Sequence, residues 1–154
     1  MRLPATLATV LLSSAVLAEP SVLTVYTYSS FTADWGPGPA VETAFESACD
    51  CDLEFVAVDD GVALLGRVRL EGQRSDADVV LGLDTNLMAE AADTGLFAPH
   101  AIDLAHLAIP IQWESDTFVP YDYGYFAFVH DTRRLETPPA SMDEVIHGPA
   151  DNQI

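Results

Sequence analysis

The sequence contains no lysine, so all six of its basic side chains are arginines, against 24 aspartates and glutamates. The formal net charge is therefore −18. Nucleic acids and anionic membranes are bound through basic patches, which this composition does not supply. The composition argues against both as partners. The acidity itself fits either a cationic ligand or a solubility trait of a salty environment.

The sequence also lacks the short motifs that assemble common active sites. GxSxG, a P-loop, GxGxxG and HExxH are all absent, so neither a nucleophile with its base nor a bound nucleotide is indicated. The four histidines are scattered and form no i, i+4 pair for zinc: His100, His106, His130 and His147. The sequence predicts a protein that is not an enzyme and holds no metal or cofactor.

Long apolar runs are missing after the first eighteen residues, and a membrane span needs about 20. Within those eighteen, Arg2 precedes a largely apolar stretch, and Val16, Leu17 and Ala18 form a small-residue cleavage pattern. Residues 1–18 are therefore expected to be a cleaved signal peptide, although an uncleaved anchor is the alternative. Residues 19–154 would then form one exported domain, periplasmic in a Gram-negative cell.

Cysteine is scarce: Cys49 and Cys51 are the only two, separated by one residue. In an oxidising compartment they are candidates for a local disulfide, whose small loop would contribute modest stability. Free thiols are the alternative. A metal site would need further ligands, and no histidine or other cysteine is near in sequence.

The apolar pattern predicts strands that alternate with helices. Strands are expected at residues 22–28, 53–58 and 78–83, and helices at 39–48, 61–71 and 84–94. The third strand, a continuous apolar run, is expected to be buried on both sides. This order predicts an α/β fold with a mainly parallel sheet and flanking helices.

The rest of the chain is less regular. Residues 97–116 are expected to be irregular, and residues 117–130, rich in tyrosine and phenylalanine, are predicted to form one or two strands. A capping box, Ser141 to Glu144, is predicted to open a last helix.

Parallel sheets bind ligands beyond the carboxyl ends of their strands, which points to the loops at residues 29–38, 59–61 and 83–85. In the first loop, Trp35 lies in a Gly/Pro frame, where its ring would either stack on a ligand or fold back on the core. Tyr28 ends the first strand, and ligand contact and packing are equally favoured for it. Tyr26 lies deeper and is expected to pack.

Acidic residues follow the next two strands. Asp60 is an expected helix N-cap that would also bring a carboxylate to a ligand, with Asp59 solvated beside it. Asp84 repeats this arrangement, and capping is the favoured interpretation there. Asp122, among three tyrosines, fits a cation contact or a strand bend equally well.

Several motifs together resemble the periplasmic thiamine-binding proteins of thiamine ABC importers. They are LTVYTYSSFTADWGPGP, CDC, DDGVALLGRVRLEG, ADVVLGLDTNL, TGLF and DTFVPYDYGYFAFVHD, spread from Leu23 to Asp131. The joint occurrence of DWGPGP and TFVPYDYGYFAFV is the most specific part of the likeness. A more distant resemblance is to the superfamily that includes ferric-iron-binding proteins.

This resemblance implies a two-lobed, type II-like binding protein that captures thiamine, and its phosphate esters, for a permease in the inner membrane. Tyr28, Trp35 and Asp60 match the family's ligand positions, and the protein would be a monomer. Residues 19–154 would be the amino-terminal lobe portion, truncated before the second lobe.

Two alternatives are less well supported. A ferric-iron binder would use tyrosines such as Tyr121 or Tyr123, but the TADWGPGP segment argues against it. An exported thiamine-degrading enzyme would need a nucleophile, often a cysteine, and Cys49 and Cys51 lie away from the three predicted ligand loops.

Overall fold

The structure, a computed structural model, describes residues 21–148, so the predicted signal peptide at residues 1–18 lies outside it. Its elements are β1 (Val22–Tyr28), α1 (Ser29–Thr32), α2 (Gly38–Cys49), β2 (Asp52–Val58), α3 (Gly61–Glu71), β3 (Val79–Val80), α4 (Met88–Asp93) and α5 (Met142–His147). A single 3₁₀ turn, Gly72–Arg74, follows α3. No helix in this range is long and apolar enough to cross a bilayer.

In the described residues the strands form one parallel sheet with the order β2-β1-β3, so β1 is central. The pairing of β1 with β2 runs from Val22 opposite Asp52 to Tyr28 opposite Val58. Strands that are parallel and separated by helices make an α/β fold, as the sequence predicts. The limits of β1 and α3 are those expected from the sequence, and β2 begins one residue earlier.

The prediction for β3 is wrong in length and in burial. The strand has two residues rather than six, and Val79 is 42% exposed because β3 lies at the edge of the sheet. Before it, the Asp78 carboxylate accepts a hydrogen bond from the Thr24 amide at 2.9 Å. After it, Gly82 turns the chain with φ at +115°. A carboxylate on one side and a glycine turn on the other therefore limit the strand.

Three boundaries near the predicted ligand loops also differ. Ser29–Thr32 is a helical turn instead of loop, and α2 begins at Gly38, one residue before Pro39. The helix expected from residue 84 begins only at Met88, because a turn at Asp84 comes first.

The core on one face of the sheet consists of Tyr26, Leu64 and Val68, each at most 4% exposed. Arg67, on α3, lies 4.4 Å above the Tyr26 ring. Thr27, next along β1, is fully buried, and its hydroxyl has no hydrogen-bond partner in the described part of the chain. Tyr26 is thus a packing residue, as expected from its depth.

The described chain divides into two compact units, the first comprising residues 21–101 and 115–118 and the second residues 102–114 and 119–148. The second unit contains α5, whose predicted cap is confirmed: the Ser141 hydroxyl accepts from the Glu144 amide at 3.2 Å. The Glu144 carboxylate accepts from the amide of Ala140 at 2.7 Å, one residue before the usual capping-box partner.

The strands predicted within residues 117–130 do not form. This segment has no regular secondary structure, and residues 121–130 are all exposed. Aromatic alternation favours a strand, but a strand is stable only when its backbone is paired. Within residues 21–148 no strand pairs with it.

Candidate functional site

The carboxyl ends of the three strands, with the loops that follow them, form one edge of the sheet, here called the carboxyl edge. Ser29, directly after β1, donates its hydroxyl to the carbonyl of Val58 at the end of β2, at 2.8 Å. Gly61 lies so close to Gly82 that an added Cβ would be 2.8 Å from the Gly82 carbonyl oxygen. The loops after β1, β2 and β3 are therefore neighbours, which is where ligands bind in such sheets.

Tyr28 occupies the middle of this edge because it ends the central strand. Its half-buried ring lies against the backbone of Gly82, where an added Cβ would clash with the ring carbons. On its other side the ring makes an edge contact with Phe31, with centroids 5.9 Å apart and planes at 67°. Phe31 is 3% exposed, so Tyr28 rests on a fixed part of the core.

Trp35 lies in the turn between α1 and α2 and is 80% exposed. The turn is tight: the Gly36 amide donates to the Ala33 carbonyl at 2.7 Å. A Cβ at Gly38 would come within 2.7 Å of the Phe31 carbonyl oxygen, so this loop packs backbone on backbone. The indole is not folded onto the core: it is presented to solvent with a face that can stack.

Asp60 caps α3, because its Oδ1 accepts from the Ala63 amide at 2.8 Å. The residue is exposed and lies at the carboxyl edge beside Asp59, which is also exposed. An N-cap carboxylate has a second oxygen that the cap bond does not use. Capping and ligand binding are therefore compatible at Asp60, and the capping half of the sequence expectation is observed.

Asp84, two residues after Gly82, accepts more backbone hydrogen bonds than Asp60 does. Its Oδ1 accepts from the amides of Asn86, at 2.9 Å, and Leu87, at 3.1 Å. These bonds form the turn that leads into α4 at Met88. Asp84 therefore acts as a turn cap at the carboxyl edge, which is the interpretation that the sequence favours.

The two arginines of α3, Arg67 and Arg69, each form an ion pair. Arg67 donates its Nε hydrogen to Glu71 at 2.8 Å, and Arg69 pairs with Glu90 of α4. The bond to Glu71 raises the pKa of Arg67, and the same bond lowers the pKa of the Glu71 carboxyl. Ser75 supports the pair by donating to the second oxygen of Glu71 at 3.0 Å.

The residue that sequence reasoning missed is Gly82. Its part in the site is to leave space for the Tyr28 ring, which only a residue without a side chain can do there. The available signal was a glycine directly after a short apolar strand. That signal indicates a turn, but it does not reveal which ring would lie on the turn.

The two cysteines lie away from the carboxyl edge. Cys49 and Cys51 form a disulfide between the end of α2 and the start of β2, at the opposite, amino end of the strand. In the second unit, Asp122 is exposed, and Tyr123 packs edge-on against Tyr125 with centroids 6.0 Å apart. Across residues 21–148, no three His, Cys, Asp or Glu side chains are grouped to hold a metal ion.

No protein-family model matches the sequence. Individual relatives do match it. A thiamine-binding periplasmic protein of Escherichia coli (strain K12) is 56% identical over 136 residues, covering 88% of this chain and 41% of the relative. A protein of the same name from Haemophilus influenzae is 44% identical over 142 residues, covering 91% of this chain and 43% of the relative.

A solved structure described as a periplasmic thiamin binding protein shares the fold. It superposes with a TM-score of 0.75 at 56% identity, over 84% of this chain and 41% of that one. The chain thus spans about two-fifths of the length of the relatives that it matches. Over that span, the chain is a homologue of the thiamine-binding periplasmic proteins and has the parallel α/β fold of the corresponding part of their structure.

Proposed function

We propose that this chain provides the amino-terminal lobe portion of a periplasmic solute-binding protein that captures thiamine for an ABC importer. The observation that carries the proposal is the 56% identity to a thiamine-binding periplasmic protein over 88% of the chain. That relative is named for thiamine and for the periplasm, which favours this ligand over ferric iron. The cleaved signal peptide at residues 1–18 belongs to the same proposal.

The carboxyl edge supplies groups that suit thiamine. The vitamin carries a permanent positive charge on one ring and has an aminopyrimidine as its second ring. The exposed face of Trp35 and the ring of Tyr28 are suited to stack on such rings, and a cation adds attraction to an aromatic face. Asp60 brings a carboxylate that can accept hydrogen bonds from the amino group or balance the charge.

The proposed role is binding without a chemical step. The nucleophile of the competing enzyme hypothesis would be a cysteine, but both cysteines are joined in a disulfide at the other end of β2. The proposal also extends to thiamine phosphates as ligands and to a monomeric protein that docks on the permease.

Thiamine capture belongs to the whole two-lobed protein, because this chain spans 41% of its relative and affinity in this class depends on closure of two lobes around the ligand. The test therefore uses a chimera in which residues 19–139 of this chain replace the matching part of the Escherichia coli relative. Binding of radiolabelled thiamine is measured by equilibrium dialysis, so that removing a tryptophan does not alter the signal.

We expect Trp35→Ala to weaken thiamine binding about tenfold to thirtyfold, the equivalent of losing a desolvated cation–π contact of about 2 kcal/mol. Asp60 needs two variants, since Asp60→Ala removes the cap as well as the charge. Asp60→Ser keeps a good N-cap and removes only the charge, so its loss of affinity reports on the ligand.

Leu70→Ala, at a residue of α3 that is 84% exposed, serves as the control and should bind as the parent does. The site assignment is wrong if both Trp35→Ala and Asp60→Ser bind thiamine as tightly as Leu70→Ala. The thiamine proposal itself is wrong if the parent chimera folds and does not bind thiamine.

A further inference from the structure

The Cys49–Cys51 disulfide closes a very small ring on the protein surface. The cysteines are two positions apart, with Cα atoms 5.2 Å from one another. Cys49, the last residue of α2, is exposed, and Cys51 is half-buried. Between them, Asp50 has φ at +51°, in the left-handed region, which aspartate and asparagine adopt more readily than other residues with a side chain. An exposed disulfide of this kind is open to attack by thiols.

The structure around the ring is held by bonds that do not involve sulfur. The Asp52 amide donates to the Ser21 carbonyl at 3.0 Å, and the Leu53 amide donates to the Glu46 carboxylate at 3.0 Å. From Asp52 onward, β2 is paired with β1 along its whole length. The stabilisation from a disulfide increases with the length of the loop that it closes, so opening so short a loop removes less stability than opening a long one.

The surroundings of the ring are negative. Cys49 lies at the C-terminal end of α2, the negative end of the helix dipole, and α2 has no basic residue in its last turn. Asp50 and Asp52 flank Cys51 in sequence. Catalytic cysteines have positive surroundings that favour the thiolate, so this pair is unsuited to act as an oxidoreductase. These negative groups repel an attacking thiolate more strongly when its molecule also carries carboxylates.

We propose that the Cys49–Cys51 disulfide is a thiol–disulfide exchange site that dithiols with no other charged group open in the folded protein, in preference to thiols that also carry carboxylates. This inference does not depend on thiamine, because the ring lies at the amino end of β2 and the proposed ligand residues lie at the carboxyl edge.

The exchange involves two displacements. A thiolate of the dithiol attacks Sγ of the exposed Cys49; the bond to Cys51 breaks, and Cys51 takes the electron pair and a proton. The second thiolate of the dithiol then attacks the dithiol's own sulfur that is bonded to Cys49. This closes the oxidised dithiol and releases Cys49, which takes a proton. Overall, the protein disulfide gains two electrons and two protons, and the dithiol is oxidised to a disulfide.

The test measures reduction of the purified, oxidised protein by dithiothreitol and by dimercaptosuccinate, a dithiol that carries two carboxylates, at matched thiolate concentrations. Samples are quenched with acid, alkylated and weighed by mass spectrometry, while far-UV circular dichroism follows the fold. We expect dithiothreitol to reduce the native protein within about tenfold of its rate on the urea-unfolded protein, with the dichroism unchanged. Dimercaptosuccinate should reduce the protein more slowly, and the difference between the two reduction rates should narrow in about 1 M salt, where charges are screened within about 3 Å.

Two variants serve as controls. Asp50→Asn/Asp52→Asn removes both charges, and asparagine tolerates the left-handed conformation at position 50. In this variant the difference between the two reduction rates should narrow without added salt. Cys49→Ser/Cys51→Ser should fold and melt close to the reduced parent. The proposal is overturned if reduction proceeds only as fast as global unfolding, if the dichroism is lost as the disulfide opens, if the serine variant does not fold, or if the two thiols reduce the parent equally well.

Discussion

Tyr28 depends for its position on the missing side chain of Gly82. The ring lies on the Gly82 backbone, and the chain passes through φ of +115° there, a conformation that residues with a side chain rarely adopt. Two independent constraints, space and backbone conformation, therefore act on this one position. Gly66, inside α3, has neither constraint, because nothing lies within 4 Å of where its Cβ would be.

Gly82→Ala and Gly66→Ala should change stability in opposite directions. Gly82→Ala should destabilise the protein by about 1–3 kcal/mol, the cost of a strained backbone with a displaced ring. Gly66→Ala should stabilise it by about 0.5–1 kcal/mol, since alanine is the better residue inside a helix. Urea unfolding of the two variants measures both effects.

A double variant identifies the cause. If the ring clash contributes, Tyr28→Ala should recover part of the Gly82→Ala penalty, which a double-mutant cycle detects. If Gly82→Ala is as stable as the parent, neither the space for the Tyr28 ring nor the backbone conformation constrains position 82.

Among the elements, α3 and β1 are the ones that sequence alone defines to the residue. For α3 the signals are local: Asp60 caps its start, and Gly72, with φ at +58°, ends it. The short β3 and the unpaired residues 117–130 could not be predicted, because pairing depends on which distant segment lies alongside. In the candidate site, too, the local feature could be predicted and the long-range contact could not: the Asp60 cap was predictable, and the contact of Gly82 with Tyr28 was not.

The ion pair on α3 makes the stability of this element depend on pH. The bond from Arg67 lowers the pKa of Glu71 below its ordinary value of 4.5. A carboxyl with a lowered pKa in the folded state stabilises the protein above its unfolded pKa, and the contribution is lost as the pH falls through the folded value. Glu71→Gln should therefore melt at a slightly lower temperature than the parent at pH 7, and the difference should vanish in acid.

Thermal unfolding at pH 7 and at steps below pH 4.5 measures this, with the exposed Glu136→Gln as the control for losing one negative charge. The difference in melting temperature between Glu71→Gln and the parent would have another cause than the ion pair if it stayed constant down to strongly acidic pH. Because the side chains of Arg67 and Glu71 remain 36% and 27% exposed, solvent screens the pair and the expected effect is small.

At the scale of the whole molecule, a strongly negative chain carries an uncharged aromatic segment, here residues 123–129. In this segment Tyr125 is 79% exposed, Phe126 and Val129 are almost fully exposed, and Phe128 is 70% exposed. Such a segment without charge or proline tends to pair with strands of other molecules. The net charge of −18 opposes such contacts at low ionic strength.

Added salt should therefore promote association of the parent protein, and Phe126→Asp should suppress it. We expect the variant to lower the apparent association constant about tenfold, equivalent to about 1.4 kcal/mol. Light scattering across a series of salt concentrations measures the mass. Val62→Asp is the control, because Val62 is an exposed apolar residue outside the aromatic segment, in α3. This variant should associate as the parent does. If both variants suppress association equally, the added charge alone explains the suppression.

The central place of β1 also affects the order in which the chain can fold. β1 is synthesised before β2 and β3, yet both of its edges are filled by strands that come later. Its parallel partners are joined through helices, so no local hairpin can shelter it in the meantime. β1 therefore completes its pairing only after Val80, the last residue of β3, has been synthesised, and until then one of its edges stays open.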